Sequence, residues 1–130
     1  EPLTALNPVL RIGEQIAEVA KHSHFSPLLL GWGIAALIRV ATGSATVSMM
    51  TAAGIVAPIA ATMPGTNMEL LVLATGAGSL ILSHVNDSGF WMIKEYFGMT
   101  VKETLMTWTV METIISVVAF VFILLLNMVL

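Results

Sequence analysis

The sequence predicts an all-α integral membrane protein, and three observations carry that prediction. Of its 130 residues 57% are hydrophobic and only 10% are charged, with a mean hydropathy of +0.92. An average soluble domain carries about 25% charged residues, so too little charge remains to coat a water-soluble globule. The apolar residues fall in long blocks, interrupted by short clusters of Gly, Ser, Thr, Asn and Asp. The same arithmetic excludes disorder. A net charge of −3 with no basic run excludes a nucleic-acid partner, which needs clustered Lys and Arg. Without Cys there is no disulfide, thiolate metal site or Cys nucleophile.

The first element, residues 8–24, reads as an amphipathic interfacial helix. Asn7 caps its free amides and Pro8 suits the first helical position. Val9, Ile12, Ile16 and Val19 form one stripe, with Arg11, Glu14, Glu18 and Lys21 opposite. His22 and His24, two apart with no carboxylate nearby, are poor ligands, and no metal site is expected. The opening EPLTALNPVLRIGEQ has neither an initiating Met nor a signal peptide, which reads as a piece of a longer membrane protein.

Residues 27–61 hold a single charge, Arg39. The stretch is too long for one span of about 20 residues and too short for two spans with a turn. A re-entrant hairpin fits: a descending limb (LLLGWGIAALIR), an irregular polar tip (ATGSATVS) and an ascending limb (MMTAAGIVAPIAA). The competing reading is one tilted helix with frayed ends. Irregular backbone at such depth survives only inside protein or beside a wet cavity, so the tip is a candidate site.

Residues 68–98 follow the turn ATMPGTN and read as a broken transmembrane helix, its apolar run interrupted by Ser83-His84-Val85-Asn86-Asp87-Ser88-Gly89. The competing reading is a solvated loop between two shorter segments. Residues 101–130 read as a plain C-terminal transmembrane helix with a scaffold role. They carry no charge from Thr113 onward, and Trp108 stands where an interfacial anchor would. Arg11 and Lys21 balance Lys94 and Lys102 across such a hairpin, so the positive-inside rule leaves the orientation open.

Asp87 is the leading candidate for chemistry. An Asp at the centre of a spanning helix costs about 2.5–3.5 kcal/mol on insertion scales, so such residues usually face a cavity and serve a function. Burial disfavours the charged form of a carboxyl group, which suits proton uptake and release. His84, three residues earlier, shares its face if the backbone is helical there; it could exchange a proton with Asp87 or simply bond a freed carbonyl. Ser83, Asn86 and Ser88 suit a polyhydroxylated ligand, or else satisfy the broken backbone. Arg39 stays charged and matches a carboxylate with two parallel bonds, or it snorkels to the headgroups. Gly43, Ser44 and Thr46, with Thr42 and Ser48, offer amides and hydroxyls at the tip, although small residues also serve helix packing. Glu112 is a minor candidate, and the nine Met read as lipid-facing packing. No motif for a cofactor or phosphate loop is present.

The strings ATGSATVSMMTAAGI, GAGSLILSHVNDSGFW and KEYFGMTVKETLMTWTVMETIISVV resemble the C-terminal part of the gluconate permease family of sugar-acid:proton symporters. The similarity runs from about Leu28 to near the end, and SHVNDSGFW followed by KEYFGMT is its most specific feature. The resemblance implies a multi-pass carrier of the bacterial inner membrane, not an enzyme, that brings gluconate or a related sugar acid inward with protons. It also implies one half of an inverted-repeat transporter, with residues 27–98 as the re-entrant hairpin and broken helix of the second repeat. Under it Arg39, Gly43, Ser44, Thr46, Asn86 and Ser88 bind substrate, Asp87 with His84 handles the proton, and tip and break converge near the bilayer midplane. The expected partners are the sugar acid, protons, the lipid bilayer and the missing N-terminal part of the same transporter, with room for a homo-oligomer. The rival readings are a carrier of a hydroxy amino acid such as D-serine, a membrane enzyme using Asp87 and His84 as acid and base, and a non-transporting membrane subunit.

Overall fold

The computed structural model describes residues 26–130 and, before them, Gln15 alone. The amphipathic helix expected over residues 8–24 therefore lies, but for Gln15, outside the described residues. Among the described residues every regular element is helical.

Helix α1 (Pro27–Thr42) begins where Ser26 accepts the Leu28 amide at 3.2 Å and Pro27 occupies the first turn. It ends at Gly43, whose φ of 74° turns the chain out of the helix while its amide still bonds the Arg39 carbonyl at 2.8 Å. Ser44 then caps helix α2 (Ala45–Ala61) by accepting the Val47 amide. Residues 27–61 are thus a hairpin of two helices, and the single tilted helix is excluded. The tip is shorter than expected. Only Gly43 and Ser44 leave helical conformation, and Thr46 and Ser48 already belong to α2. The α2 face carrying Ser48, Ala52, Val56 and Ala60 is buried at a spacing of four, and α1 and α2 pack along each other.

The turn after α2 leads to helix α3 (Met68–Gly78), capped by Asn67 through the Leu70 amide at 3.1 Å. Leu70, Leu71, Ala74 and Ala77 face a core completed by Leu28, Val56, Ala60, Phe120 and Ile123. At the end of α3 a Cβ on Gly78 would overlap the Trp32 carbonyl of α1, so only glycine permits this approach. The helix stops here, although the apolar run continues through Leu80, Ile81 and Leu82. Leu82 takes a left-handed φ of 46°, a conformation that costs a non-glycine residue about 1–2 kcal/mol.

Helix α4 (Ser88–Phe97) restarts the chain under an Asp87 cap and closes at Gly98. Helix α5 (Val101–Val129) is capped by Thr100 and is the one described helix long and apolar enough to cross a membrane by length and composition. One turn of π-helix, Leu105–Thr109, interrupts it. Its outward face leaves Ile114, Val117, Val121 and Leu125 exposed, while Thr109, Ser116, Phe120 and Ile123 are buried. Phe120 stacks on Trp32 with ring centroids 5.0 Å apart.

Candidate functional site

The end of α1, the start of α2, the unwound segment after α3 and the start of α4 meet in one place. Three features of the sequence force this meeting. Gly43 lacks the Cβ that would overlap the Asn86 carbonyl, so the hairpin tip lies directly on the break. Asn86 donates its side-chain amide to the Val40 carbonyl at 2.9 Å, satisfying one of the acceptors left free at the end of α1. The third feature is an ion pair: Arg39 Nη2 donates to Asp87 Oδ2 at 2.6 Å.

Arg39 is buried, with 3% of its surface exposed. Its Nη1 donates to the Gly43 carbonyl at 2.6 Å, so the guanidinium also braces the hairpin tip. As a cation in the last turn of α1 it sits at the favourable end of the helix dipole. Its Nε is buried and has no hydrogen-bond partner among the described residues. This position corrects the alternative in which the side chain reaches out to the headgroups.

Asp87 uses both carboxylate oxygens. Oδ1 accepts the Gly89 amide at 2.9 Å, capping α4, and Oδ2 accepts the Ser83 hydroxyl as well as Arg39. Ser83 has no solvent exposure and is the hub of the break. Its hydroxyl receives Trp108 Nε1 at 2.9 Å, and its carbonyl receives the Thr109 hydroxyl. A charge-assisted chain therefore runs from α5 through the break to α1. Removing an Asp and an Arg from water is tolerated because each neutralises the other and their oxygens and protons find further partners.

The remaining expected residues lie around this core. Ser44 is half-buried and spends its hydroxyl on the α2 cap, while Thr46 and Ser88 are exposed, their hydroxyls without partners among the described residues. His84 departs from expectation. The chain from Ser83 to Asp87 is not helical, so the spacing of three does not align the two side chains. The contact between them is the Asp87 amide on the His84 carbonyl at 2.9 Å, and the imidazole has no hydrogen bond among the described residues. Glu112, half-buried on α5, is near enough to interact electrostatically with both Arg39 and Asp87. No group of three or more His, Cys, Asp or Glu that could hold a metal occurs among the described residues.

Helix α5 proves to be more than scaffold. Trp108, expected as an interfacial anchor, donates inward to Ser83 instead. Thr113 accepts the Leu82 amide at 3.2 Å, and Ser116 donates to the Ala77 carbonyl at 2.6 Å while accepting Trp32 Nε1 at 3.1 Å. Thr109, Thr113 and Ser116 thus satisfy backbone released where α3 unwinds. The signal was available: these hydroxyls recur at helical spacing along one face of an otherwise apolar helix.

A family profile described as "GntP family permease" matches residues 5–129. The chain is 63% identical over 119 residues to "Gluconate permease" of Pseudomonas aeruginosa, covering 92% of this chain and 26% of that protein. It is 53% identical over 118 residues to "High-affinity gluconate transporter" of Escherichia coli (strain K12), covering 91% of this chain and 27% of that protein. It is 52% identical over 119 residues to "Gnt-II system L-idonate transporter" of the same strain, covering 92% and 27%. The chain thus spans about a quarter of the length of these curated relatives. No solved structure matches it. With the profile spanning nearly all of its residues, and relatives of such identity bearing the names of permeases and transporters, the chain belongs to the GntP permease family.

Proposed function

We propose that this chain is the C-terminal part of a multi-pass carrier that takes up gluconate or a related sugar acid, together with protons, across the bacterial inner membrane. The observation that carries this reading is the Arg39–Asp87 pair, a buried guanidinium on a half-buried carboxylate where the end of α1 and the starts of α2 and α4 meet the break. A buried guanidinium is the natural receptor for an anionic substrate, and a carboxylate in the same cluster is a natural proton carrier. The names of the relatives, gluconate and L-idonate among them, support a sugar acid as the cargo.

In this reading α1 and α2, of 16 and 17 residues, form a re-entrant hairpin too short to cross the bilayer twice, and α3 and α4 are the halves of a broken helix. Tip and break lie near the midplane, with the polar backbone of both sheltered by α5. Arg39 attracts the substrate carboxylate. Gly43, Ser44, Thr46, Asn86 and Ser88 surround the polyol, and Asp87 takes the coupling proton with His84 at the rim. The apolar outer faces of α5 and α2 meet lipid or the remaining part of the transporter.

Uptake of labelled gluconate by cells expressing the full-length transporter tests this. Accumulation that collapses on adding a protonophore, and that excess L-idonate inhibits but excess D-serine does not, is the expected result. Accumulation indifferent to the protonophore would remove the proton, and competition by D-serine alone would replace the cargo.

A further inference from the structure

The guanidinium of Arg39 is used only in part. Nε and Nη2 lie along one edge of the group, the edge that takes a carboxylate with two parallel bonds. Asp87 occupies Nη2 alone, because the Ser83 hydroxyl and the Gly89 amide hold its carboxylate in place and direct Oδ1 away to the α4 cap. Nε, on the same edge, is buried without a partner among the described residues. A buried N–H without an acceptor is a costly state for a group of this kind. A second carboxylate arriving on this edge could satisfy both positions.

Building on the transport reading above, we propose that Arg39 is shared in time between two carboxylates. In the resting state it pairs with Asp87; when Asp87 takes up a proton, the Nε–Nη2 edge passes to the carboxylate of the sugar acid. The proton comes from water and adds to an Asp87 oxygen, leaving a neutral carboxyl that Ser83 and Gly89 continue to hold. The ion pair with Arg39 is lost, and the substrate anion replaces it. Arginine and aspartate carry no net charge together before the exchange, and arginine, protonated aspartic acid and a monocarboxylate carry none after it. Neutrality around the buried guanidinium therefore ties one proton to one carboxylate. Either partner entering alone leaves an uncompensated charge.

Of the other charged groups around Asp87 only Glu112 is near enough to contribute charge, and the Glu112→Gln arm of the test separates it. Helix α5 contributes Glu112, α2 has no charged residue, and α3 has only Glu69 in its first turn, at the end away from the break. On α4, Lys94 is paired with Glu95 at 3.1 Å, and within the break His84 makes no side-chain bond to Asp87.

The test is a proton count on the detergent-solubilised full-length transporter. Gluconate binding is followed by calorimetry, and proton uptake by a pH indicator in weak buffer. The wild type is expected to take up about one proton per gluconate bound, and its affinity to weaken about tenfold per pH unit once Asp87 is largely ionised. Sorbitol, a comparable polyol without a carboxylate, should draw no proton. Asp87→Asn should bind gluconate with no proton uptake and with affinity flat from about pH 5 to 8, whereas Glu112→Gln should keep the wild-type count. Gluconate binding by the wild type without proton uptake would overturn the exchange while leaving sugar-acid transport standing. A wild-type count retained in Asp87→Asn, or lost in Glu112→Gln, would also overturn it. If no sugar acid binds to the wild type at all, the transport reading beneath it falls.

Discussion

The turn between α2 and α3 and the break between α3 and α4 both place polar side chains between apolar helices and are opposite in construction. The turn carries Thr62, Thr66 and Asn67, the break Ser83, Asn86 and Asp87. In the turn the polar side chains bond locally: Thr62 donates to the Ile59 carbonyl at 2.7 Å, Thr66 to the Met63 carbonyl at 3.0 Å, and Asn67 accepts the Leu70 amide at 3.1 Å. In the break the satisfying groups come from far along the chain. Arg39 is 48 residues from Asp87, Trp108 is 25 from Ser83, and Thr113 is 31 from Leu82. A segment that balances its own polar groups can sit anywhere wet. One that depends on distant partners exists only where the fold brings them, which is what a preorganised site requires.

Substitutions in the full-length transporter can break this contrast, and their effects should fall in a definite order. Asp87→Ala should be the most damaging, because it strands a buried guanidinium; about 3–5 kcal/mol of stability should be lost in mixed-micelle unfolding, and with it all uptake. Gly43→Ala follows, at about 2–4 kcal/mol, since the new methyl meets the Asn86 backbone at a φ that alanine resists. Ser83→Ala should cost about 1–3 kcal/mol by leaving Trp108 Nε1 and one bond of Asp87 unmade, and the quenching of Trp108 fluorescence should change with it. Thr66→Ala in the turn should shift stability by no more than about 0.5 kcal/mol and leave uptake intact. A Thr66→Ala effect as large as that of Ser83→Ala would erase the distinction between the two segments.

The same distinction decides what was legible in the sequence. The hairpin was visible because a single charge in a stretch of awkward length leaves few ways to cross a bilayer. The break was visible because Asp87 and Asn86 have no place in an uninterrupted span, and α5 because no charge interrupts its mainly apolar run from Thr113 onward. Local periodicity could not say that α3 stops at Gly78, since the residues after it are still apolar. The backbone freed there is satisfied by Thr113 and Ser116 of α5, more than thirty residues away in sequence. Nor could spacing foresee that Arg39, read as a receptor for a substrate carboxylate, already holds the carboxylate of Asp87. Pairings across the fold follow from packing, and no short-range pattern encodes them. His84 shows the converse limit: a spacing of three aligns side chains only if the backbone is helical, and the chain there is unwound.

The central claim is that hairpin tip and break are one unit joined through Arg39 and Asp87, and a double-mutant cycle on that pair tests it most directly. Arg39→Met and Asp87→Ala are compared singly and together in the full-length transporter by unfolding in mixed micelles. A coupling of about 2–3 kcal/mol is expected, with the double variant more stable than the sum of the single losses predicts, because neither charge is then left alone. Strictly additive losses would mean that the two side chains do not meet, and would contradict the account.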